Sequence, residues 1–443
     1  MYQNIIRKIQ TSGFEAYLVG GCVRDMLLGK EPSDYDICTN ATYNQLRKIF
    51  PNENIDPIGK QFQVIIIDGI EIATYRIDNY DIDGRLVSTT PVSNIEIDLG
   101  RRDLTINSMA MNPITGNIID LYKGQEDLKK GIIRFTGNTS QRIQEDPLRI
   151  IRACRFLSTL QFMFDKNTFF ALQKWGNLLK DLPVERFHIE IVKALKNSKY
   201  PSTFFRALKN IDCLKYIFPS VNKLYGQDGG KFHNETIFEH SMDALDMVET
   251  DNYKLKLATL MHDVGKPLAY LLNSNGSFKK HDEIGSEIAE QELKSLKFSN
   301  SEVEYIKNMI SIHMSNFNMD SSERVVRRLL VKFEQLGIDF KDFLEFRYAD
   351  HGSNRMHKPY EQFEKNIFRG MFQNVIDKKQ AFSIKDLAVD GNDVIEYFKI
   401  KPSKQVGLIL NYLFECVIND PMMNSKHELF QLMFQLNLED LAA

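Results

Sequence analysis

The sequence predicts an α/β head followed by an all-helical body. Residues 1–140 alternate short apolar runs with helix-like segments, and two turn signals separate β-branched stretches, a pattern typical of strands and helices built around one sheet. From Thr139 onward, apolar residues recur at helical spacing, as in Leu148, Ile151 and Phe156. With 443 residues the chain is too long for one core, and about three domains are expected at roughly 150 residues per domain.

The head is expected to form its elements in a definite order. The predicted elements are a helix from Tyr2 to Thr11, a strand Ala16–Val19, a helix from Val23 to Leu28, a strand Tyr35–Cys38, a helix over ATYNQLRKIF, and strands Gln63–Ile67 and Ile70–Tyr75. The Asp68-Gly69 dipeptide between the last two strands is a strong hairpin signal, and a second hairpin is predicted around Pro113–Gly116. Residues 77–94 show no period and many turn formers, and they are predicted to be a mobile loop.

Composition excludes several classes of protein. Hydrophobic residues make up 43% of the chain and charged residues 26%, which argues against a disordered or fibrous protein. The five cysteines are scattered without a CxxC pair, so no cysteine zinc cluster or disulfide scaffold is expected, and a reducing compartment, the cytoplasm, is predicted. No signal peptide and no apolar run of 18 residues is present, so no membrane association is expected.

Charge is distributed unevenly along the chain. Residues 1–140 carry 15 Lys and Arg against 18 Asp and Glu, residues 141–215 carry 14 against 7, and the remainder carries 27 against 34. The basic middle segment is expected to dock a polyanion such as RNA, although a solvated helix face explains the same charges equally well.

Two glycines and two carboxylates in the head predict a site for a nucleotide and a metal ion. Gly20 and Gly21 follow a predicted strand and precede a helix, so backbone N–H groups and the positive end of the helix can meet an anion there. Asp34 and Asp36 lie two residues apart on a predicted strand and are expected to face the same side. Carboxylates held together suit Mg²⁺ with substrate phosphates, and Glu71 on the neighbouring hairpin supplies a third.

Six motifs follow one another within the first 215 residues: GGCVRDMLLG, DYD, RRDLTIN, DLYKGQEDL, EDPLR and VERFHIE. In order and spacing they resemble the motifs of the class II tRNA nucleotidyltransferase and bacterial poly(A) polymerase family. The resemblance implies a nucleotidyltransferase palm with a mixed β-sheet over residues 1–140, and a helical neck over 141–225 that selects the nucleotide and binds RNA. The segment Tyr75–Arg85 resembles the flexible loop that family members need to switch from CTP to ATP.

The resemblance also implies roles for individual residues. Asp34 and Asp36 would bind two Mg²⁺ ions at the catalytic centre. The implied nucleotide-binding residues are Gly20, Gly21, Arg24, Arg102, Asp103, Asn107, Asp146, Arg149, Arg152 and Arg155. Asp146 and Arg149 match the positions that read the Watson–Crick edge of CTP or ATP, which neither GTP nor UTP offers in the same form. The helix in VERFHIEIVKAL is expected to pack as a neck helix, with His188 structural.

A second constellation lies in the helical body. The residues are His240, His262, Asp263, His281, His313 and Asp350. Adjacent His262 and Asp263 can both reach one metal only if the helix ends there, and Gly265 and Pro267 supply that break. The order H…HD…H…H…D resembles the HD-domain metal phosphohydrolases, and implies an HD domain over 226–360 followed by a helical tail over 361–443. Mn, Fe, Ni, Co, Zn and Mg²⁺ all stay open as its metal.

The leading function expected is template-independent addition of CCA to the tRNA 3′ end, at the acceptor stem, from CTP and ATP. The resemblance to proteobacterial HD-bearing tRNA nucleotidyltransferases implies an added 2′,3′-cyclic phosphodiesterase and phosphatase activity. The alternatives are a poly(A) polymerase on the same head, a phosphohydrolase whose head only binds RNA ends, and a non-catalytic tRNA-binding protein. An HD fold retained only to grip tRNA is the alternative for the second constellation. The oligomeric state is left open.

Overall fold

The computed structural model describes residues 1–51, 53, 63–80, 86–231, 233–378 and 381–436. The chain forms two units: Met1–Asn222 with Ser295–Lys297, and Lys223–Lys294 with Phe298–Ala443. They are called the first and the second unit below. The finer division into four domains remains a prediction.

A six-stranded mixed sheet forms the centre of the head. Its strands are β1 (Ala16–Val19), β2 (Asp36–Thr39), β3 (Val64–Ile67), β4 (Ile70–Thr74), β7 (Ala110–Met111) and β8 (Ile118–Ile119), in the order β3-β4-β2-β1-β7-β8. Only β2 and β4 pair in parallel, and the other neighbours are antiparallel. The mixed α/β head and both predicted hairpins, β3-β4 and β7-β8, are thus confirmed.

Helices cover the sheet and continue into the neck. They are α1 (Tyr2–Thr11), α2 (Gly21–Leu27), α3 (Tyr43–Ile49), α4 (Ile95–Gly100), α5 (Gly124–Lys130), α6 (Thr139–Glu145), α7 (Leu148–Leu160), α8 (Lys166–Trp175), α9 (Glu185–Asn197), α10 (Ser202–Asn210), α11 (Leu214–Ile217) and α12 (Pro219–Lys223). In α1 the isoleucines at 5, 6 and 9 recur at helical spacing and are buried, which seats the helix on the sheet core. Leu18, Ile37 and Ile72 belong to the same core.

In the described part of residues 77–94, the structure has two strands where a loop was predicted. Strands β5 (Arg76–Tyr80) and β6 (Leu86–Pro91) pair antiparallel as a separate ribbon, and residues 81–85 lie outside the described part of the chain. Both faces of this ribbon are partly exposed, so its sequence carries no alternation of apolar and polar residues. Without a buried face, the period-two signal on which strand prediction depends is missing.

Two smaller predictions are wrong. Strand β2 begins only at Asp36, so Asp34 lies before the strand, and strand alternation does not govern its direction. After Thr139, where only helices were expected, a short strand β10 (Met163–Phe164) pairs in parallel with β9 (Ile132–Ile133). Two-residue strands carry too few side chains to show a period.

The second unit is built of helices. They are α13 (Ile237–Met247), α14 (Tyr253–Met261), α15 (Lys266–Leu272), α16 (His281–Ser295), α17 (Asn300–Ile312), α18 (Glu323–Leu336), α19 (Phe340–Ser353), α20 (Gln362–Asp377), α21 (Gly391–Phe398), α22 (Lys404–Asn419) and α23 (Lys426–Gln435). These helices confirm the predicted helical C-terminal body.

Within the described residues, no helix has both the length and the apolar character that crossing a membrane requires.

The sheet core supports a stability prediction. Ile72 lies fully buried on β4, whereas Ile66 on the paired strand β3 is 57% exposed. Ile72→Ala is expected to lower the free energy of unfolding by about 2–5 kcal/mol, because it removes buried methyl groups and leaves a cavity. Urea denaturation of the full chain measures the change. The matched variant Ile66→Ala should change the free energy of unfolding by less than about 0.5 kcal/mol. Equal decreases in the free energy of unfolding for both variants would contradict the packing described.

Candidate active site and candidate metal centre

A cavity of about 400 Å³ in the first unit collects most of the predicted head residues. Those that line it are Gly20, Gly21, Arg24, Asp36, Arg102, Asp103, Asn107, Asp146, Arg149 and Arg152. Asp34, Glu71 and Arg155 are absent from its lining. Residues separated by more than 120 positions therefore meet at one surface of the head and neck.

Gly20 lies where the backbone must come close to a guanidinium. Its φ is +78°, and a Cβ added there would approach Arg102 Nη1 to 3.2 Å. Glycine adopts this left-handed conformation without strain, whereas most side chains do not. The residue thus leaves room for Arg102 at the start of α2, where the first backbone N–H groups of the helix have no helical partners.

Arg24 is held by two polar partners. Its guanidinium donates to both carboxylate oxygens of Asp25 at 2.9 Å and to Asn107 Oδ1 at 2.8 Å. Asn107 in turn donates to Asp103 Oδ1 at 3.4 Å. This chain of contacts ties α2 to the RRDLTIN segment.

The RRDLTIN segment is anchored to the neck by an ion pair between buried Asp103 and half-buried Arg152. Arg152 Nη2 on α7 donates to Asp103 Oδ2 at 2.6 Å. Burial by itself opposes ionisation of Asp103, yet the Arg152 charge and hydrogen bonds bring the pKa of this carboxyl well below its usual value. Asp103 therefore stays a carboxylate and keeps the cavity wall and the neck helix together.

Asp36 lines the cavity, and two further carboxylates, Glu71 and Asp34, lie near it but outside the lining. Asp36 begins β2 and is the register partner of Glu71 on the parallel strand β4. Burial raises the pKa of Asp36, the negative charges of Glu71 and Asp34 raise it further, and only Arg102 acts in the opposite sense. Carboxylates that repel one another in this way are stabilised by a divalent cation, and oxygen is the ligand type that Mg²⁺ prefers. Among the described residues, however, these three carboxylates do not come together as one group of ligand atoms.

Arg102 is oriented by a residue that sequence reasoning missed. Asp98 is 1% exposed and accepts from Arg102 at 3.1 Å and from Arg101 at 2.9 Å. It also accepts the backbone N–H of Arg76 at the start of β5. Burial opposes ionisation of Asp98, but the two arginines lower its pKa below the usual value. No local motif identifies this aspartate, because its role arises only from packing.

The two base-reading candidates both make protein contacts in this structure. Asp146 accepts from Arg186 Nη2 at 3.0 Å. Arg149 Nη2 donates to the Tyr80 hydroxyl at 3.1 Å and to the Arg101 carbonyl at 3.0 Å. Tyr80 and Arg186 line the same cavity.

Sequence reasoning missed both of these partners. Tyr80 lay in the predicted loop, and the VERFHIEIVKAL helix was assigned to packing alone. The helix does bury Phe187 and Ile191, but its first turn brings Arg186 to the cavity. Its place in the VERFHIE motif was the available signal.

Arg155 has a different environment from the other neck arginines. Its Nε donates to buried Glu190 at 2.5 Å, and its guanidinium lies 4.0 Å from the centre of the Phe156 ring. The three arginines of α7 lie on one helix, but only Arg149 and Arg152 line the cavity, and Arg155 does not.

The second unit brings all six predicted metal ligands together. Two groups, His240-His262-Asp350 and Asp263-His281-His313, each have their ligand atoms within 4.8 Å of one another. The groups adjoin, since His262 Nε2 lies 3.3 Å from Asp263 Oδ2. They line a cavity of about 790 Å³.

The predicted helix break is confirmed at this site. Helix α14 ends at Met261 and α15 begins at Lys266, so His262 and Asp263 lie in the turn between them. A Cβ at Gly265 would lie 2.1 Å from the backbone oxygen of His281, closer than any side chain tolerates. Glycine therefore allows the turn to pack against the start of α16.

Backbone carbonyls determine the protonated nitrogen of three histidines. The Nδ1 atom of His262 lies 2.7 Å from the carbonyl oxygen of Thr259. The corresponding distances are 2.9 Å from His281 Nδ1 to the Phe278 oxygen and 2.6 Å from His313 Nδ1 to the Ile310 oxygen. A carbonyl oxygen only accepts, so each Nδ1 must donate its proton there, and each neutral ring presents an unprotonated Nε2 to the cluster. This is the form in which imidazole binds metals.

The cluster has strong internal electrostatics. Burial disfavours the charged form of His262, but Asp263 and Asp350 raise the pKa of His262 to about 10. Burial, followed by His262 and His281, lowers the pKa of His313 to about 4. The two rings therefore differ sharply in their tendency to carry a proton.

A buried carboxylate behind His240 was not predicted. The Glu235 side chain is fully buried, with Oε1 2.8 Å from His233 Nδ1 and 3.4 Å from His240 Nδ1. Ser353 Oγ lies 3.0 Å from the same His240 nitrogen. His240 thus directs Nε2 to Asp350 at 3.0 Å, and only the fold reveals which groups orient it.

Three family models match parts of the chain. The poly A polymerase head domain matches residues 16–134. The family described as "probable RNA and SrmB-binding site of polymerase A" matches residues 161–224. The family described as "tRNA nucleotidyltransferase domain 2 putative" matches residues 282–433.

Relatives of known function extend this result to the full length. The CCA-adding enzyme of Ligilactobacillus salivarius (strain UCC118) is 31% identical over 431 residues, covering 96% of this chain and 94% of that enzyme. Poly(A) polymerase I of Haemophilus influenzae is 34% identical over 248 residues, but the match covers only 53% of this chain and 54% of that enzyme.

A solved structure shares the fold. The Bacillus stearothermophilus CCA-adding enzyme in complex with CTP superimposes with a TM-score of 0.75 at 22% identity, covering 98% of this chain and 96% of that one. The conserved architecture, together with the full-length relative at 31% identity, shows that the chain belongs to the CCA-adding enzyme family of nucleotidyltransferases.

Proposed function

We propose that this protein adds CCA to the 3′ end of tRNA without a template, using CTP and ATP. The observation that carries the proposal is the single cavity in which Gly20, Asp36 and the Asp146–Arg149 pair meet. These groups supply an anion cradle, a metal-binding carboxylate and a base-reading pair within one nucleotide-sized space. The full-length similarity to a CCA-adding enzyme supports the same reaction.

Asp36, Asp34 and Glu71 would hold Mg²⁺ at this cavity. When bound there, the cation activates the attacking hydroxyl and offsets the charge that develops on the phosphates. The RNA 3′-oxygen attacks the α-phosphorus, the bond from that phosphorus to the β-phosphate oxygen breaks, and pyrophosphate leaves. Arg24 and Arg102 bind the triphosphate oxygens and hold the nucleotide in line for attack.

Nucleotide choice would rest on exchanging protein contacts for contacts with the base. Asp146 leaves Arg186, and Arg149 leaves Tyr80, when each meets the Watson–Crick edge of the base. A carboxylate acceptor beside a guanidinium donor matches cytosine and adenine, which both present an exocyclic amino donor and a ring-nitrogen acceptor. The RNA primer enters along the neck, which the basic segment 141–215 favours.

The CCA reaction is favoured over poly(A) addition by the extent of similarity. The match to poly(A) polymerase I ends after about half of either chain, whereas the match to the CCA-adding enzyme continues through the helical body. Product length separates the two reactions directly.

An extension assay tests the proposal. Transcripts of tRNA ending at the discriminator base, after C or after CC should each be extended to CCA and stop, with each step requiring only its own nucleotide. Asp36→Asn should lower the rate about 10³-fold or more, because a metal carboxylate stabilises the transition state by several kcal/mol. Products are resolved at single-nucleotide length.

Asp68→Asn provides the matched control. Asp68 is an exposed carboxylate at the turn of the β3-β4 hairpin, with φ of 52°, a conformation that asparagine tolerates. This variant should extend tRNA at the wild-type rate. Long tails of A alone from the wild-type protein would identify a poly(A) polymerase instead, and an Asp36→Asn variant with full activity would refute the assigned metal site.

Base selection yields a separate prediction. Asp146→Ala should admit UTP or GTP, because it removes the acceptor that distinguishes the base edges, each good pair being worth about 1–3 kcal/mol of discrimination. Misincorporation is measured with each nucleotide alone on a transcript ending in C. The control Glu185→Ala removes an exposed carboxylate beside Arg186 and should leave selection strict. A slow Asp146→Ala variant that still accepts only CTP and ATP would overturn the base-reading role.

The histidine cluster supports a second activity, metal-dependent phosphoester hydrolysis by an HD domain. His281 Nε2 and His313 Nε2 lie 3.0 Å apart, although both rings donate from Nδ1 to backbone carbonyls. Two lone pairs facing each other repel unless a cation or a proton lies between them. Among the described residues, buried His262 Nε2 also has no hydrogen-bond partner. These donors fit a transition metal or Mg²⁺.

The six ligands would hold one or two cations beside Asp263. A cation bound there polarises a phosphate and makes water more acidic. The water oxygen attacks phosphorus, one P–O ester bond breaks, and the released hydroxyl takes up a proton. Lys266, with Nζ 2.7 Å from Asp263 Oδ2, lies close enough to the cluster to bind a phosphate oxygen. The substrates proposed are 2′,3′-cyclic phosphates and terminal phosphomonoesters of nucleotides or RNA.

Asp263→Asn separates the two activities. It should lower phosphate release about 10²-fold or more and reduce the metal content of the purified protein, because one carboxylate contacts both ligand groups. CCA addition should continue unchanged, since the head lies in the other unit. Phosphate release and elemental analysis provide the two measurements. The control Asp320→Asn, at an exposed site of the second unit, should alter neither, and wild-type protein without metal or phosphate release would leave the helices with a tRNA-binding role only.

A further inference from the structure

The cavity at the histidine cluster has a wall made of stacked rings. His351 lies between Tyr360, at 4.1 Å between ring centres, and His357, at 4.7 Å, and both interplanar angles are 17°. All three side chains line the cavity. None of the three is one of the six proposed metal ligands, and none has a role in the functions proposed above.

The three stacked rings of Tyr360, His351 and His357 are called the column below. The column is anchored at one end and accessible at the other. Tyr360 packs against Phe368 at 5.2 Å with an interplanar angle of 75°, and Phe368 is buried. His357 is exposed, and among the described residues its one recorded ring contact is His351. A flat group entering the cavity can therefore extend the stack at His357.

The column begins next to the metal cluster. Asp350 and His351 are consecutive on α19, so a ligand atom and a stacking ring project from neighbouring positions into the same space. The cavity of about 790 Å³ lies within the range of sites for whole small molecules, about 300–1,000 Å³. It is large enough for a phosphate at the cluster and a base beside the rings.

Cationic and polar groups complete the wall. Lys266, Lys279 and Arg347 line the cavity. Arg347 donates to the backbone carbonyls of Ser315 and Phe317, while its buried Nε has no hydrogen-bond partner among the described residues. Positive charge beside flat rings is the usual composition of a nucleotide-binding surface.

We propose that the column Tyr360–His351–His357 is a base-binding subsite, so that the histidine cluster acts on a nucleoside phosphate whose base stacks on His357. The proposal rests on the hydrolytic function proposed above and specifies its substrate. The nucleoside phosphate is either a free nucleotide or the 3′-terminal nucleotide of an RNA. A small phosphomonoester without a base would use the cluster but not the column.

Paired substrates test the subsite in the metal-loaded, full-length protein. Adenosine 2′-monophosphate and glycerol 2-phosphate are both secondary phosphomonoesters, and only the first has a base. The wild-type KM should be at least about fivefold lower for the nucleotide, the lower bound of what stacking of one base contributes. His357→Ala should raise the nucleotide KM to the value of glycerol 2-phosphate without changing either kcat.

Two further variants distinguish stacking from other effects. His357→Phe should restore the low KM, because a ring without charge still stacks. His427→Ala removes another exposed histidine of the second unit, one outside the cavity, and should leave both substrates unaffected. A transcript ending in a 2′-phosphate is then compared with the free nucleotide, to decide whether the substrate is an RNA end or a free nucleotide. The compound with the higher kcat/KM is the substrate.

The outcomes separate the two proposals. Phosphate release from both esters with equal KM, or an unchanged nucleotide KM in His357→Ala, overturns the stacking subsite and leaves the hydrolase in place. Failure of His357→Phe to restore the KM also overturns stacking. No phosphate release from either ester, with any divalent metal, overturns the hydrolase and the subsite together.

Discussion

Cationic side chains crowded around one cavity repel one another, and the fold of the first unit depends on balancing those charges. Six arginines line the cavity of the head and neck, and each pairs with a carboxylate: Arg24 with Asp25, Arg101 with Asp78 and Asp98, Arg102 with Asp98, Arg149 with Glu145, Arg152 with Asp103, and Arg186 with Asp146. Unpaired guanidiniums at this density would repel one another, and burial would add a desolvation penalty. The carboxylates remove this conflict and determine where each guanidinium points.

The same pairs join segments that are distant along the chain. Asp103 in the head holds Arg152 on the neck helix, and Asp98 holds both Arg102 and the start of the β5-β6 ribbon. Tyr80, at the end of β5, contacts Arg149. The ribbon, the proposed triphosphate cradle and the proposed base-reading pair therefore belong to one connected set of polar contacts, so that displacing one partner affects the others.

The second unit brings the six side chains of the histidine cluster together, which poses a different problem, the orientation of their rings. Helix ends supply the solution. His262, His281 and His313 each lie at a helix end or in an adjoining turn, where a backbone carbonyl three residues earlier accepts the Nδ1 proton. Backbone carbonyls close to helix ends thus orient the rings and select the tautomer. Rigid helices, rather than long side chains, hold the geometry of the cluster, as the proposed metal site requires.

Local sequence was sufficient wherever the chemistry lies in neighbouring residues. The Gly20-Gly21 turn, the His262-Asp263 break and the Asp68-Gly69 hairpin were all predictable, because each depends on backbone preferences within a few residues. The alternating strands and helices of the head and the helical body followed from hydrophobic periodicity, whereas the mixed sheet was implied by the resemblance to the nucleotidyltransferase family. The β5-β6 ribbon was not predictable in this way, since neither of its faces is buried.

Only tertiary structure decided which charges pair and which rings stack. Asp98, Arg186 and Glu235 look like ordinary charged residues in the sequence, and their partners are chosen by packing between elements far apart in the chain. The exclusion of Arg155 from the cavity and the stacking of His351 on Tyr360 have the same origin. The sequence by itself determined the chemical groups available and the elements that carry them, whereas the fold determined their distances, and electrostatic and stacking interactions depend on distance.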